Sequence, residues 1–268
     1  MTPVLTAGGE LMEALVQRIY DGREQIVLRD GEIEAHIAPD KGGRIIQMKK
    51  GDVEALYRLY PNYAQFGPYL EYGGIEYLMG SAPGSIYDRR FEFEIQGDEV
   101  RLWCFSRDIL FEKVVTLKEP FLDARYTFVN LGERFIRFTF SIHPEIAIGD
   151  FKDCLFTGWS GSGEEKEEYR GPGNRRFYKP KENHYTVTNK RKGVCFVAMF
   201  PTDVIDRVEL YYPRIDTHLC PQLMVDSVGL CPHKKASYSV KFGMVKPGSA
   251  DLSEAAKSFQ GSAAYTSI

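Results

Sequence analysis

Long hydrophobic runs are missing from this chain of 268 residues. The longest apolar stretches, such as VCFVAMF (194–200), are strand-sized. A bilayer span needs about 20 such residues, so no membrane helix is expected. The opening residues, MTPVLTAGGELMEALVQ, lack a basic start followed by an apolar block, and no secretory leader is expected. Charge of one sign is also scarce: 34 Lys and Arg stand against 37 Asp and Glu, a net charge of -3. That balance gives nucleic acid or an anionic membrane nothing to hold. Cysteines are few and odd in number, five at positions 104, 154, 195, 220 and 231. They cannot all pair, and several fall inside apolar runs, which fits reduced thiols and a cytoplasmic location. No Ser or Cys sits in a nucleophile elbow, and GSGEEKEEYRGPGNRR (161–176) lacks the strand-to-helix setting of a phosphate loop. No cofactor is read from the chain, and its oligomeric state is left open.

What is present is strand after strand. EIEAHIAP (32–39) alternates Ile33, Ala35 and Ile37 against Glu34 and His36, the period of a half-buried strand. FEFEIQGDEVRLWCF (91–105) reads as a hairpin turning at Gln96–Glu99, and LDARYTFVNLGERFIRFTFSI (122–142) as a second turning at Asn130–Glu133. GVCFVAMF and RVELYYP (207–213) read as buried strands, and ASYSVKFGMV (236–245) alternates again. Helical pattern is confined to the edges: ELMEALVQRI near the start, and SADLSEAAKSF near the end with Ser249 placed to cap it. Residues 157–185, rich in glycine and charge, read as one long loop. With 43% hydrophobic residues and no linker, residues 1–268 are expected to form one all-β domain of packed antiparallel sheets.

Parity along FSIHPEIAIGD (140–150) picks out a candidate site. Ile136, Phe138, Phe140 and Ile142 share one face, while Arg137, Thr139, Ser141 and His143 share the other, with Glu145 continuing it. Planar Arg and carboxylate groups beside a histidine suit the hydroxyls of a sugar. The plain alternative is the wet face of an antiparallel sheet.

Four elements, in this order, resemble the galactose mutarotase-like (aldose 1-epimerase) superfamily. They are RIYDGREQIVLRDGEIEAHIAPDKGGRIIQM (18–48), EYGGIEYLMG (71–80), YTFVNLGERFIRFTFSIHPEI (126–146) and VDSVGLCPHKKASYSVKFGMV (225–245). The resemblance implies an antiparallel β-supersandwich, with short helices near the termini, that binds a sugar on a concave sheet face. In active members one group deprotonates the anomeric hydroxyl while another protonates the ring oxygen. His143 falls where the family's middle histidine belongs and is the expected proton donor. The early histidine, expected in LMGSAPGSIYD (78–88), is missing, and the late glutamate of a "vEP"-like stretch has no clean match in HLCPQLMVDSVGL (218–230). Asp226 is among the nearest carboxylates and is taken as its replacement. Arg44, Glu71, Glu76, Arg137, Glu145 and Trp159 complete the expected sugar contacts. The alternative is a relative that binds sugar but has lost the acid–base pair.

One further constellation is His218, Cys220, Cys231 and His233. A hairpin centred near Val225 and Asp226 would set 220 against 231 and 218 against 233, four soft ligands on one face. Pro221 and Pro232 interrupt such a ladder, and the spacing matches no common zinc pattern, so no metal is read from it.

Overall fold

The computed structural model describes residues 4–5, 11–18, 24–56, 74–78, 89–213, 218–259 and 264–267. The first six strands, β1 (Val4–Leu5), β2 (Leu11–Arg18), β3 (Glu24–Asp30), β4 (Ile33–Ala38), β5 (Arg44–Lys50) and β6 (Val53–Glu54), form one antiparallel sheet in that order. Next in the chain come β7 (Gly74–Leu78), β8 (Glu92–Gln96), β9 (Glu99–Ser106), β10 (Ile109–Lys118), β11 (Phe121–Asn130) and β12 (Ile136–Ile142). They are followed by β13 (Cys154–Ser160), β14 (Gly163–Glu167), β15 (Arg175–Tyr178), β16 (His184–Asn189) and β17 (Val194–Met199). The last elements are β18 (Arg207–Tyr211), β19 (Cys220–Leu230), β20 (Lys234–Val245), helix α1 (Ala250–Ser258) and β21 (Ala264–Ser267).

A ten-stranded sheet runs β14-β13-β16-β17-β20-β11-β10-β9-β8, with β21 also paired to β20. A five-stranded sheet runs β15-β18-β19-β12-β7. Alternation decides which residues meet. Phe111 and Phe128 of the large sheet point inward against Phe138 and Phe140 of the five-stranded one. Phe128 lies 4.9 Å, 4.8 Å and 4.9 Å, centroid to centroid, from Phe111, Phe138 and Phe140. The six-stranded sheet covers another part of the same inner face, where Gly43 lies close against Phe91 and Leu102. The arrangement is the expected all-β supersandwich. On the outer face of the large sheet, Leu252 and Ala256 of α1 cover Cys195, Val197 and Met199, and the Ser249 hydroxyl accepts the Asp251 amide at the helix start.

Three expectations need correcting. Leu11–Arg18 is a strand rather than the expected helix, because pairing with β3 satisfies its backbone and the short ELMEALVQRI pattern fits either. Asn130–Glu133 does not close a hairpin. β11 pairs with β10 and β20, and β12 with β19 and β7, so this turn carries the chain from one sheet to the other. Asn130 fixes the crossing, its Nδ2 donating to the carbonyls of Arg134 and Leu230. Residues 157–185 are not a loop but contribute to β13 and β16 at the ends and hold β14 and β15 between.

Charge adds a pH term to this fold. Burial pushes the Glu34 carboxyl up, but bonds from Arg29, His36 and Lys49 outweigh it and hold the group at about 2 against an ordinary 4.5. Because the folded value is depressed, this stabilisation is full above pH 4.5 and is lost as pH falls towards 2. Denaturant melts of wild type and Glu34→Gln are expected to differ at pH 6 and to converge near pH 2; an equal gap at both would refute the assignment.

Candidate functional site

The site is built by register. β12 and β19 pair Ser141 with Met224 and Ile142 with Leu223, and the bridge Ile146↔Leu219 continues the same register. His143 therefore falls opposite Gln222, and Glu145 opposite Cys220. β18 extends the rows, with Glu209 beside Gln222 and Tyr211 beside Cys220. The opposite faces of these strands carry Ile142, Leu223 and Val208 into the core, so the polar side chains share the face turned away from it.

Four groups converge there from two strands. The nearest ligand-type atoms of His143, Glu145 and Cys220 all lie within 4.8 Å of one another. His218 Nε2 is 3.7 Å from Glu145 Oε2. Glu145, His218 and Cys220 are buried, and His143 is half-buried with Nε2 shielded from solvent. Tyr185 of the large sheet donates its hydroxyl to the Pro221 carbonyl at 2.9 Å, pinning the strand beside Cys220. Arg44, only 1% exposed, follows Gly42 and Gly43, both in the left-handed region at φ 72° and 61°. Lys113, also buried, donates Nζ to the Gly43 carbonyl.

Electrostatics keep both histidines neutral at pH 7. Burial, then the neighbouring His218 and the Arg44 charge, push His143 down to about 3. Burial alone takes His218 to about 4. Burial, reinforced by Glu145 and Glu209, raises the Cys220 thiol well above its ordinary range. For a histidine with a lowered folded value, the unfolded chain binds protons first, so stability falls once pH drops below 6.5. Unfolding free energy is thus expected to decline between pH 6.5 and 4, with a shallower decline in His218→Gln; identical slopes would refute it. At neutral pH the cluster offers a carboxylate, two neutral imidazoles and a thiol beside a buried guanidinium.

Of the expected site residues, Arg44, His143 and Glu145 come together here. Arg137 lies on the same wet face, six residues and roughly 20 Å of strand from His143, opposite Gly229. Asp226 is exposed and ion-paired with Arg207. It sits four residues along β19 from Gln222, roughly 13 Å from the His143 row. Trp159 stands on the outer face of the large sheet, its ring 4.5 Å from His184 in a cleft shared with Leu252 and Ala256 of α1. Glu76 is in β7, which pairs with β12 near Phe140, but its side chain is outside the described residues, as is Glu71 altogether.

The hairpin imagined for His218, Cys220, Cys231 and His233 does not form. Residues 220–230 are one continuous strand, so His218 and Cys220 lie roughly 35 Å or more from Cys231 and His233. Their true partners are His143 and Glu145. The structure adds His218, Cys220 and Glu209 to the expected set. The signal for the first two was the repeated spacing in HPE (143–145) and HLC (218–220), which alternation places on one face. The residue preceding the proline where the resemblance expects a glutamate is Cys220.

All five cysteines are free, Cys231 alone being exposed. No helix among the described residues is long and apolar enough to cross a membrane.

No family model matches the chain, and no curated protein matches it in sequence. Solved structures do match it in shape. A galactose mutarotase-like protein from Clostridium acetobutylicum superposes with TM-score 0.63 at 11% identity, covering 87% of this chain and 98% of that one. A galactose mutarotase related enzyme from Lactobacillus acidophilus gives 0.64 at 13%, covering 83% and 97%. A galactose mutarotase-like protein from Lactobacillus casei gives 0.63 at 12%, covering 82% and 100%. At such identities the likeness establishes the fold.

Proposed function

Starting from a chain with the galactose mutarotase-like fold, we propose that the wet face of the five-stranded sheet binds a sugar and catalyses aldose 1-epimerase-type anomer exchange. The observation that carries this reading is a buried carboxylate, Glu145, beside a neutral imidazole, His143, under the charge of Arg44. Mutarotation moves one proton off the anomeric hydroxyl and one onto the ring oxygen. Both oxygens are bonded to one carbon, so the two catalytic groups need be no more than roughly 8 Å apart. His143 and Glu145 meet that limit.

In this mechanism Glu145 takes the anomeric proton. Neutral His143 donates an N–H hydrogen bond to the ring oxygen, and the carboxyl of Glu145, now protonated, delivers its proton to that oxygen as the C–O bond breaks. The open-chain aldehyde turns and closes by the reverse transfer through Glu145. Arg44 offers a planar donor fork for a sugar oxygen or a carboxylate substituent. Asp226 is replaced as base by Glu145, since its ion pair with Arg207 and its distance along the strand keep it from the same carbon.

A second reading is favoured by Cys220, which stands before the proline where the resemblance expects a glutamate. On that reading the face binds sugar without exchange. Saturation-transfer NMR with monosaccharides, uronic acids and sugar phosphates, followed by anomer-exchange spectroscopy on each hit, decides the matter. Binding with faster exchange is the expected result. Binding without exchange selects the second reading, and no binding at all removes both.

A further inference from the structure

The His143-x-Glu145 and His218-x-Cys220 pairs are not explained by sugar binding alone. Alternation along each strand puts the two members of a pair on one face, and the β12–β19 register puts the pairs side by side. The result is two nitrogen ligands, one oxygen ligand and one sulfur ligand on backbone that cross-strand bonds already hold.

We propose that His143, Glu145 and Cys220 form a binding site for one divalent cation of the zinc class. Their ligand atoms lie within 4.8 Å of one another. A tetrahedral ion with bonds of about 2.0–2.3 Å needs its ligands roughly 3.5 Å apart, so side-chain shifts of about 1 Å close the site. Sulfur and imidazole nitrogen select against calcium and magnesium, which take oxygen shells. On binding, the Cys220 S–H bond breaks, its proton leaves to solvent and a sulfur–metal bond forms, with no change of oxidation state. Glu145 and the thiolate then supply two negative charges, which offset the ion beside Arg44. His218 stands at the fourth corner, 3.7 Å from Glu145 Oε2, either as a ligand or as the group that orients the carboxylate.

One consequence rests on the proposed function. An ion here takes the lone pair that Glu145 uses to accept the anomeric proton and draws His143 away from the ring oxygen, so the loaded chain exchanges anomers more slowly than the metal-free chain.

The test is titration of the reduced, metal-free full chain with cobalt(II), followed by absorbance. Saturation at one equivalent is expected, with intense tetrahedral bands in the visible and a thiolate-to-cobalt band in the near ultraviolet. Cys220→Ser should lose the near-ultraviolet band, and His143→Gln should weaken binding at least about tenfold. Cys231→Ser, at an exposed thiol far along the strand, should keep both. Absence of saturable binding by the wild type overturns the proposal, as does a thiolate band that survives in Cys220→Ser. Exchange with and without one equivalent of zinc separates the two ideas. Cobalt binding without anomer exchange in either state sinks the exchange reading alone, and exchange without cobalt binding sinks the metal alone.

Discussion

Glu145→Gln is expected to slow anomer exchange by about 10²–10⁴-fold while sugar still binds, because the amide keeps the shape of the carboxylate but cannot accept the anomeric proton. Exchange spectroscopy at saturating sugar reads the rate, and the same titration reads the affinity. Asp226→Asn is the contrasting variant. Its parent is engaged by Arg207 at the exposed end of the face, so exchange should stay close to wild type. A wild-type rate in Glu145→Gln would remove Glu145 from the chemistry. The pH profile adds an independent check. A histidine acting as proton donor with an ordinary value near 6.5 would impose an alkaline limb there, but His143 is held at about 3 and stays neutral, so no limb of its own should appear from pH 8 to about 4.

The second large effect is on stability. Phe128→Ala is expected to cost about 3–5 kcal/mol, the usual range for emptying a large aromatic site. Phe128 is fully buried and touches rings from both sheets, Phe111 on its own sheet and Phe138 and Phe140 on the facing one. Rigid strands on both sides limit how far the cavity can collapse, which favours the upper part of that range. Urea unfolding of the variant measures it. A loss below about 1 kcal/mol would mean that the facing sheets close over the gap, contrary to the dense packing inferred.

The strands and the wet face were legible because alternation is local. Ile136, Phe138, Phe140 and Ile142 do line the core, and Ser141, His143 and Glu145 do lie opposite, although a register shift interrupts the ladder between Phe138 and Phe140. The Gln96–Glu99 turn closes as read, since Gln96 pairs with Glu99. What failed was information about partners. Nothing in a turn's composition says which sheet the next strand joins, so Asn130–Glu133 reads as a hairpin turn although it is a crossing. His218 and Cys220 were matched with Cys231 and His233 by symmetry of sequence. The register that sets them against His143 and Glu145 joins residues about 75 apart, a pairing no local pattern encodes. A short apolar pattern such as ELMEALVQRI fits helix and strand alike until a neighbouring strand claims it.

Lys113 draws a last consequence from the sheet interface. Its ammonium, buried on the large sheet, grips the carbonyl of the residue just before Arg44, so a group outside the site sets the bearing of the guanidinium within it. The two sheets therefore act as a jig: Lys113 on one holds the backbone that carries Arg44 on the other. The bearing of Arg44 over the polar face, in this molecule, is a property of how two sheets are clasped together.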